Sequence, residues 1–347
     1  MSPDITTFQI APGPLSAVEE EMYALGVMKT VYVPCDPDVA AVKLALARQE
    51  ERVLKMYENP HYRCQDVLHH EFFNTYAAWS RPAVNIDLNA FPHRYPCNGS
   101  SEAIRETIAY HASCERERGH EPRIHILSGD YEGYRAYAEA HDVAVIEHAR
   151  DKYVASMCDA VREGDRFYLS APSGIDGNIW DGYEAFLEFV ETELPGARLM
   201  LDLAYLNTTS RVPRIRTDSP AIDAIFVSHS KAFPGTYYDR VGGIFSKYEV
   251  PGLYGNMWFK NLRSLLLGVN LMNNFALGEI PRRLAKLQAT VIDELNATIG
   301  NGRIVASDVT FIATQPVPDQ LTEIQQLLTR GDCVRYCLTP GLTRLLS

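Results

Sequence analysis

A short stretch that ends in Lys231 constrains this chain more than any other. Residues 224–227 form an apolar, β-rich run, which gives way to small polar residues, to Lys231 and then to a Pro-Gly pair at 234–235. This pattern predicts a buried strand that delivers a lysine into a cleft at its C-terminal end. A lysine that is partly desolvated there loses some of its preference for the ammonium form and can act as a nucleophilic amine. The alternative is a solvated lysine that follows a core strand.

Strands and helices alternate regularly along the middle of the chain. The patterns predict helices at 101–118, 132–141 and 151–162, a fourth helix opened by an Asp181–Glu184 capping box, and strands at 123–128, 143–147, 166–170, 198–203 and 223–228. Such alternation is typical of a mostly parallel sheet with helices on both faces. A further strand at 242–245 follows too closely for a crossover helix, so we expect it to be antiparallel.

The two ends of the chain carry weaker patterns. A high density of prolines predicts an irregular arm up to about residue 38, with a short helix at 15–25. Residues 61–97 hold two aromatic clusters and receive no assignment. The remaining patterns predict helices at 38–57 and across 257–300, a strand at 309–313 and a helix at 319–329.

Composition and charge narrow the class of protein. The 347 residues carry a formal net charge of −11, so no basic excess exists to neutralise nucleic-acid phosphates. No apolar run is long enough for a transmembrane helix, and the first residues lack a signal-peptide pattern. The seven cysteines are scattered and odd in number, and none has the spacing of a metal site. We therefore expect a cytoplasmic enzyme with reduced thiols and no nucleic-acid, membrane or metal partner.

Four motifs, in order along the chain, resemble those of one enzyme family. They are Asn-Gly-Ser-Ser-Glu-Ala-Ile at 98–104, Gly-Asp-Tyr at 129–131, Asp-Leu-Ala-Tyr at 202–205, and Ser-His-Ser-Lys at 228–231 followed by Arg-Val-Gly-Gly at 240–243. Over roughly residues 95–245 the chain is thereby similar to the fold-type I pyridoxal-5′-phosphate (PLP) enzymes, especially the class I/II aminotransferases.

The resemblance implies a fold class and a division into domains. The fold class is α/β with the PLP-transferase type I fold, which is a mostly parallel seven-stranded sheet with helices on both faces, plus a small α+β domain. Residues 1–40 would form an arm and part of the small domain, residues 41–256 the large PLP-binding domain, and residues 257–347 a linking helix and the C-terminal small domain.

The resemblance also implies roles for polar residues of these motifs. Lys231 would carry PLP as a Schiff base, Asp202 would keep the pyridine nitrogen protonated, and Tyr205 would hydrogen-bond the cofactor's phenolic oxygen. Tyr131 would stack on the pyridine ring. The residues alone leave other interpretations open, because Asp202 could cap a turn at a strand end and Tyr131 could be core packing at a helix start.

Two of the motifs suggest a cradle for the cofactor's phosphate. Gly99, Ser100 and Ser101 open a helix, whose first N–H groups and hydroxyls suit an anion, although an ordinary serine N-cap has the same pattern. By the resemblance, the lysine segment adds three further phosphate ligands, Ser228, Ser230 and Arg240. The family's sites are completed by a second subunit, so the resemblance implies a homodimer in which Tyr62 reaches the phosphate across the interface.

Two features depart from the family's usual pattern. The asparagine that touches the phenolic oxygen is missing from residues 170–178, where Ser173 is the nearest replacement. The chain also ends soon after Gly-Leu-Thr-Arg at 341–344, which resembles the segment whose arginine grips a substrate α-carboxylate. Arg344 is therefore the predicted substrate ligand, and Arg335 is its competitor.

Three functions remain open on these residues. The leading one is a PLP-dependent enzyme of amino-acid metabolism or biosynthesis that acts on an α-amino acid by aminotransfer. The missing asparagine favours an alternative in which PLP serves elimination, replacement or carbon–carbon bond formation, as in specialised metabolism. A non-catalytic protein on the same fold is the third interpretation, and the intact Lys231, Asp202 and Tyr205 argue against it.

Overall fold

Two β-sheets organise the chain, which the computed structural model describes at residues 15–49, 51, 55, 64–258, 261–300 and 303–346. The strands of the larger sheet are β1 (His93–Asn98), β2 (Arg123–Leu127), β3 (Ala144–His148), β4 (Arg166–Ser170), β5 (Arg198–Asp202), β6 (Ile222–Ser228) and β7 (Val241–Ser246). Their order in space is β1-β7-β6-β5-β4-β2-β3.

Five adjacent strands of this sheet run parallel, and β3 among them is an edge strand. Strands β2 to β6 pair in parallel with one another, whereas β7 is antiparallel to both β6 and β1. The antiparallel strand after the lysine is therefore confirmed. In the last pair of β4 and β5, Ser170 lies opposite Asp202, so both side chains reach the same edge of the sheet.

Both faces of the larger sheet are buried. Leu199 and Leu201 of β5 belong to one apolar cluster, whereas Met200 between them belongs to another. This alternation follows from the two-residue period of a strand, and burial on both faces is typical of parallel sheets. Of the strands predicted from the sequence, β2, β4, β5 and β6 are therefore core strands covered from two sides, whereas the edge strand β3 is mostly exposed or half-buried.

Eleven α-helices surround the two sheets in the described part of the chain. They are α1 (Ala17–Ala24), α2 (Pro37–Ala47), α3 (Cys64–Ser80), α4 (Ser100–Glu117), α5 (Glu132–Ala140), α6 (Tyr153–Ala160), α7 (Tyr183–Glu193), α8 (Leu262–Asn274), α9 (Glu279–Leu295), α10 (Glu323–Leu328) and α11 (Thr339–Leu346). Short 3₁₀ turns occur at Tyr237–Asp239 and Pro251–Met257, and a π-helical turn occurs at Asn296–Gly300. Among the described helices, none combines the length and the apolar character needed to cross a bilayer.

The smaller sheet is built from the C-terminal part of the chain. It holds β8 (Val305–Ala306), β9 (Ile312–Pro316), β10 (Thr329–Arg330) and β11 (Cys333–Cys337), all antiparallel, in the order β10-β11-β9-β8. A third apolar cluster joins this sheet to Met22 and Val27 of the N-terminal segment. The N-terminal arm and the C-terminal region thus share a core, while the domain boundaries at 40/41 and 256/257 stay predictions.

Several predicted elements differ from the structure. Helix α7 begins after Gly182 without a side-chain cap, and Asp181 is exposed, so the predicted capping box at Asp181 and Glu184 is wrong. The region 257–300 is not one helix, because it is interrupted between α8 and α9. The first of these helices ends where Phe275 takes an extended conformation, and the second begins after Gly278, which has a φ of 78° and donates its N–H to Oδ1 of Asn207.

The unassigned region 61–97 contains a long helix and an edge strand. Helix α3 packs Phe72, Phe73 and Tyr76 into the core beneath the larger sheet, where Phe73 contacts the ring of Phe245. Strand β1 pairs with β7. The spacing of the buried aromatic residues on α3 is helical, so this helix had a readable signal in the sequence.

Candidate active site

A cleft lies at the carboxyl edge of the parallel strands, where ligand sites of α/β sheets are found. Eight of the residues singled out from the sequence line it: Ser100, Ser101, Tyr131, Asp202, Tyr205, Ser230, Lys231 and Arg240. They come from four separate segments of the chain, each at the end of a strand or the start of a helix. The C-terminal region contributes two arginines to the same cleft, Arg330 and Arg335.

Lys231 and Asp202 lie on neighbouring strand ends of this cleft. Lys231 follows β6, and its Nζ lies 4.7 Å from the centroid of the Tyr205 ring. Asp202 ends β5, and its Oδ1 accepts a hydrogen bond of 2.9 Å from the backbone N–H of Ala204. The ends of β5 and β6 therefore bring a lysine, a carboxylate and a phenol into the same cleft.

The Asp202 carboxylate is buried and accepts hydrogen bonds. Burial raises the pKa of Asp202 to about 7, and the Ala204 N–H and the charge of Lys231 act in the opposite direction. The Tyr134 hydroxyl donates to Oδ2 of Asp202 over 3.3 Å. A buried carboxylate with a raised pKa is best stabilised by a cation placed against its remaining lone pairs. This corner of the cleft therefore suits a positively charged partner.

An anion cradle forms where helix α4 begins. No side chain caps the first turn of α4, so its N–H groups remain available at the positive end of the helix. Gly99, just before the helix, has a φ of 77°, and a Cβ there would lie 3.1 Å from Nη2 of Arg240 and 3.4 Å from Oγ of Ser228. The Ser228 and Ser230 hydroxyls lie 2.9 Å apart beside it. Open N–H groups, two hydroxyls and a guanidinium are a donor set that fits a phosphate.

Arg240 reaches this cradle from an unusual backbone conformation. Its φ of 52° is left-handed, and its Nη2 donates to the carbonyl oxygen of Asn98 over 2.6 Å. This bond ties the lysine segment to the loop that precedes α4. Arg240, nine residues after Lys231, thus lines the same cleft.

Tyr131 faces the cleft at the first turn of α5. Its hydroxyl lies 3.3 Å from Oγ of Ser101, and its ring meets the Tyr134 ring edge-on at 5.3 Å. Asp130 supports it from behind, since the carboxylate accepts the Tyr131 N–H over 2.8 Å and the Ser170 N–H over 3.1 Å. Burial raises the pKa of Asp130, while the Ser170 hydroxyl, also bound to it, lowers that pKa.

Ser173 does not line the cleft. Its hydroxyl accepts the Ile175 N–H over 3.2 Å and faces Arg150, so it turns into the loop after β4. The segment is folded back by Ser170, whose Oγ accepts the Gly174 N–H over 2.7 Å. Ser170 and Gly174 line the cleft in its place. The predicted role of Ser173 as a replacement for asparagine therefore lacks support from the geometry.

Arg344 also lies away from the cleft, against the prediction. It points from α11 to Glu294 on α9, with which it forms an ion pair. The apolar face of α11 is buried through Leu342, which leaves Arg344 on the outer side of the helix. The competitor Arg335 is buried on β11, lines the cleft and donates from Nη1 to the carbonyl oxygen of Gly174. Tyr62 lies outside the described residues.

Four further residues of the site were not identified from the sequence. Tyr134 follows Tyr131 by three positions on one helix, which places both on the same face, and this spacing was a usable signal. Asp130 stood within a recognised motif. Arg330 and Glu132 pair across the cleft from segments 198 positions apart, and no local pattern indicates such a contact. No group of three or more metal-ligating side chains occurs in the described ranges.

Comparison of folds relates the chain to known enzymes. No sequence model of a known family and no curated protein sequence matches it. A histidinol-phosphate aminotransferase from Clostridium acetobutylicum has a similar structure, with a TM-score of 0.62 and 15% sequence identity over 92% of this chain and 96% of that one. One from Sinorhizobium meliloti in complex with PLP gives 0.62 and 13%, over 96% of this chain and 94% of that one.

A lyase has the same overall structure. The PLP-bound C–S lyase from Staphylococcus hominis gives a TM-score of 0.65 and 11% identity over 92% of each chain. At these identities the likeness concerns the fold, and it agrees with the seven-stranded, mostly parallel sheet and its helices. The chain therefore has the fold of the fold-type I PLP-dependent enzymes, in the form found in class I/II aminotransferases.

Proposed function

We propose that this protein is a PLP-dependent enzyme that acts on an α-amino acid, with aminotransfer as its reaction. One observation carries the proposal: a lysine, a buried carboxylate and an anion cradle face one another across a single cleft. These are the three groups that PLP requires, namely an amine for its aldehyde, an anion for its ring nitrogen and donors for its phosphate.

The protein groups would act on the cofactor in distinct ways. When bound, PLP supplies an electron sink for negative charge at the substrate's α-carbon. Lys231 would hold the cofactor's aldehyde carbon through Nζ and, once released, could move a proton at the substrate's α-carbon. Asp202 would stay anionic beside the ring nitrogen, because a cation there offsets the burial that raises its pKa.

The rest of the cleft would bind and orient. The first N–H groups of α4, with Ser100, Ser228 and Arg240, would hold the phosphate. Tyr131 would pack against the ring and Tyr205 would face the phenolic oxygen, since both line the cleft and the Tyr205 ring lies beside Lys231. The predicted homodimer, the role of Tyr62 and the cytoplasmic location stay predictions.

Arg335, and not Arg344, is suited to bind the carboxylate of the substrate. Its guanidinium is buried at the cleft wall, and one of its nitrogens is already anchored on Gly174. An anchored fork can grip a carboxylate with two parallel hydrogen bonds. We therefore assign Arg335 to the α-carboxylate of the substrate.

A second PLP reaction is the competing proposal. Among the described residues that line the cleft there is no asparagine, and Ser173 is turned away. The phenolic oxygen would then rely on Tyr205 alone, which changes how the cofactor's electrons are controlled. Elimination or replacement at the β-carbon is the alternative that this difference favours.

Addition of PLP to the purified protein tests the proposal. We expect a visible absorbance band, and borohydride reduction followed by peptide mass spectrometry should place the cofactor on Lys231. Lys231→Ala should lose the adduct, whereas Lys286→Ala, which removes an exposed lysine on α9, should keep it. An undiminished adduct in Lys231→Ala would refute the assignment. Amino acids supplied with and without 2-oxo acids, with products identified by mass spectrometry, then separate transfer from elimination.

A further inference from the structure

Two arginines enter the cleft from one hairpin. Arg330 ends β10 and Arg335 lies in β11, and the two strands pair so that Arg330 is opposite Cys333. Arg335 is anchored on Gly174 of the larger domain. The Arg330 side chain is only 14% exposed, and its guanidinium pairs with the carboxylate of Glu132 across the cleft.

The hairpin is held tightly against the loop that carries Tyr131. Gly129 and Gly331 meet so closely that a Cβ on Gly129 would lie 2.4 Å from the Gly331 nitrogen. The position of Arg330 beside the cleft is therefore set by backbone packing and not by its ion pair alone. Arg330 is a fixed cationic group of the site.

Positive charge exceeds negative charge in this cleft. Its cationic side chains are Lys29, Lys231, Arg240, Arg330 and Arg335, and its acids are Glu132 and Asp202. Burial and the charge of Arg335 lower the pKa of Arg330 to about 10. In the proposed function, Lys231, Arg240 and Asp202 serve the cofactor, and Arg335 serves the α-carboxylate. Arg330 then faces only Glu132.

The ion pair between Glu132 and Arg330 is easily replaced. The Glu132 side chain is 57% exposed, and Glu132 is the first residue of α5, where the helix N-terminus also stabilises a carboxylate that swings outward. A ligand anion could therefore replace Glu132 at little cost, and it would gain a largely desolvated guanidinium.

We propose that Arg330 binds a second anionic group at the end of the substrate's side chain, and that Glu132 occupies this place when substrate is absent. This inference rests on the proposed function and specifies its substrate class: an amino acid with an acidic side chain. The α-carboxylate binds Arg335 and the distal carboxylate or phosphoryl group binds Arg330, and neutral amino acids leave the Arg330–Glu132 pair intact.

Calorimetric titration with inert acids tests the proposal on the PLP-bound protein. Glutarate carries two carboxylates and pentanoate carries one at the same chain length, and neither has an amine that could react with the cofactor. We expect Arg330→Gln to weaken glutarate binding by roughly tenfold or more and to leave pentanoate binding within about twofold. Arg330→Lys should weaken glutarate binding less, because it keeps the charge and loses the fork. Arg344→Gln is the matched control and should change neither affinity.

The Glu132→Gln variant should change the affinity for glutarate in the opposite direction. Removal of the competing carboxylate should tighten glutarate binding several-fold, a result that a misfolded or merely weakened protein does not produce. 3-Phosphonopropanoate, titrated in parallel, shows whether the distal site prefers a carboxylate or a phosphoryl group.

Two outcomes would overturn the proposal. Equal losses for glutarate and pentanoate in Arg330→Gln would mean that both arginines grip one carboxylate. Weaker or unchanged glutarate binding in Glu132→Gln would make the pair a structural bridge. Failure of the proposed function can be distinguished from failure of this inference. Absence of a PLP adduct on Lys231 would be seen by absorbance and mass spectrometry before any acid is added. The titrations can also be repeated on the cofactor-free protein.

Discussion

The buried hydroxyl of Tyr134 donates a hydrogen bond to Oδ2 of Asp202 over 3.3 Å. Tyr134 is fully buried on α5, three residues after the Tyr131 that faces the cleft. One helix thus presents an aromatic ring to the cleft and a phenol to the carboxylate behind it. Because the hydroxyl favours the ionised form of Asp202, it partly offsets the burial that raises the pKa of that group.

Tyr134→Phe should therefore move the pH dependence of the enzyme. Loss of the donor raises the pKa of Asp202 further, so the acidic limb of kcat/KM should shift to higher pH. The rate on the alkaline plateau should fall by less than the rate at acidic pH. A pH–rate profile of both proteins measures this shift, and an unchanged acidic limb would show that Tyr134 does not tune Asp202.

The contribution of Asp202 to the stability of the cofactor-free protein should fall as the pH rises. The pKa of Asp202 is raised from 3.8 to about 7, so the folded state holds a proton that the unfolded state releases between these values. Its contribution is fully present below about pH 4 and is lost as the pH rises through about 7, by at most about 4 kcal/mol. Urea unfolding of the wild type and of Asp202→Asn at pH 5 and pH 8 measures this contribution to the free energy of unfolding.

Asp202→Asn serves as the control for this pH dependence. The amide has the same size and does not titrate, so the stability of the variant relative to the wild type should be higher at pH 8 than at pH 5. Saturating PLP should reduce the loss of stability that Asp202 causes in the wild type, because a protonated ring nitrogen stabilises the carboxylate. Identical pH dependence in wild type and variant would remove Asp202 as the source.

Gly99→Ala should weaken PLP binding. The new Cβ would lie 3.1 Å from the Arg240 guanidinium and 3.4 Å from the Ser228 hydroxyl, at a φ of 77° that disfavours a side chain. We expect roughly a tenfold loss or more, which corresponds to about 1.4 kcal/mol. Gly119→Ala is a matched control, because Gly119 has the same φ and no atom within 4 Å of such a Cβ. Equilibrium dialysis with PLP would show equal losses in both variants if only backbone strain mattered.

Arg335→Lys should weaken binding of α-amino acids by roughly 2 kcal/mol, because lysine keeps the charge and loses the two-pronged geometry. Binding of PLP should not change, since the phosphate cradle is formed by other residues, at the start of α4 and around Ser228 and Arg240. Arg344→Lys should leave amino-acid affinity as it is, because Arg344 pairs with Glu294 outside the cleft. Spectral titration with amino acids tests both variants, and the reverse pattern would return the role to Arg344.

The periodicity of the chain was sufficient to predict the central sheet. Alternating apolar patterns indicated β2 to β6 within a few residues, and the short connection after Lys231 indicated the antiparallel β7. Helix α3 was not predicted, because its buried face is made of aromatic residues within a segment that carries no clear boundary signals. The predicted long helix at 257–300 was wrong, because the chain leaves the helix at Phe275 and resumes it after Gly278, whose N–H binds Asn207, 71 positions earlier.

Local sequence therefore determined which polar residues lie at the ends of the strands. The length and direction of β5 and β6 decide where Asp202 and Lys231 leave the sheet. The helix start at Gly99 to Ser101 is local in the same sense. Only the tertiary structure decided the substrate side of the cleft: it turned Ser173 inward, sent Arg344 to Glu294, and brought Arg335 to Gly174 and Arg330 to Glu132. The contacts of Arg335 and Arg330 join residues 161 and 198 positions apart, and they depend on how the small sheet packs against the large one, which no short-range periodicity encodes.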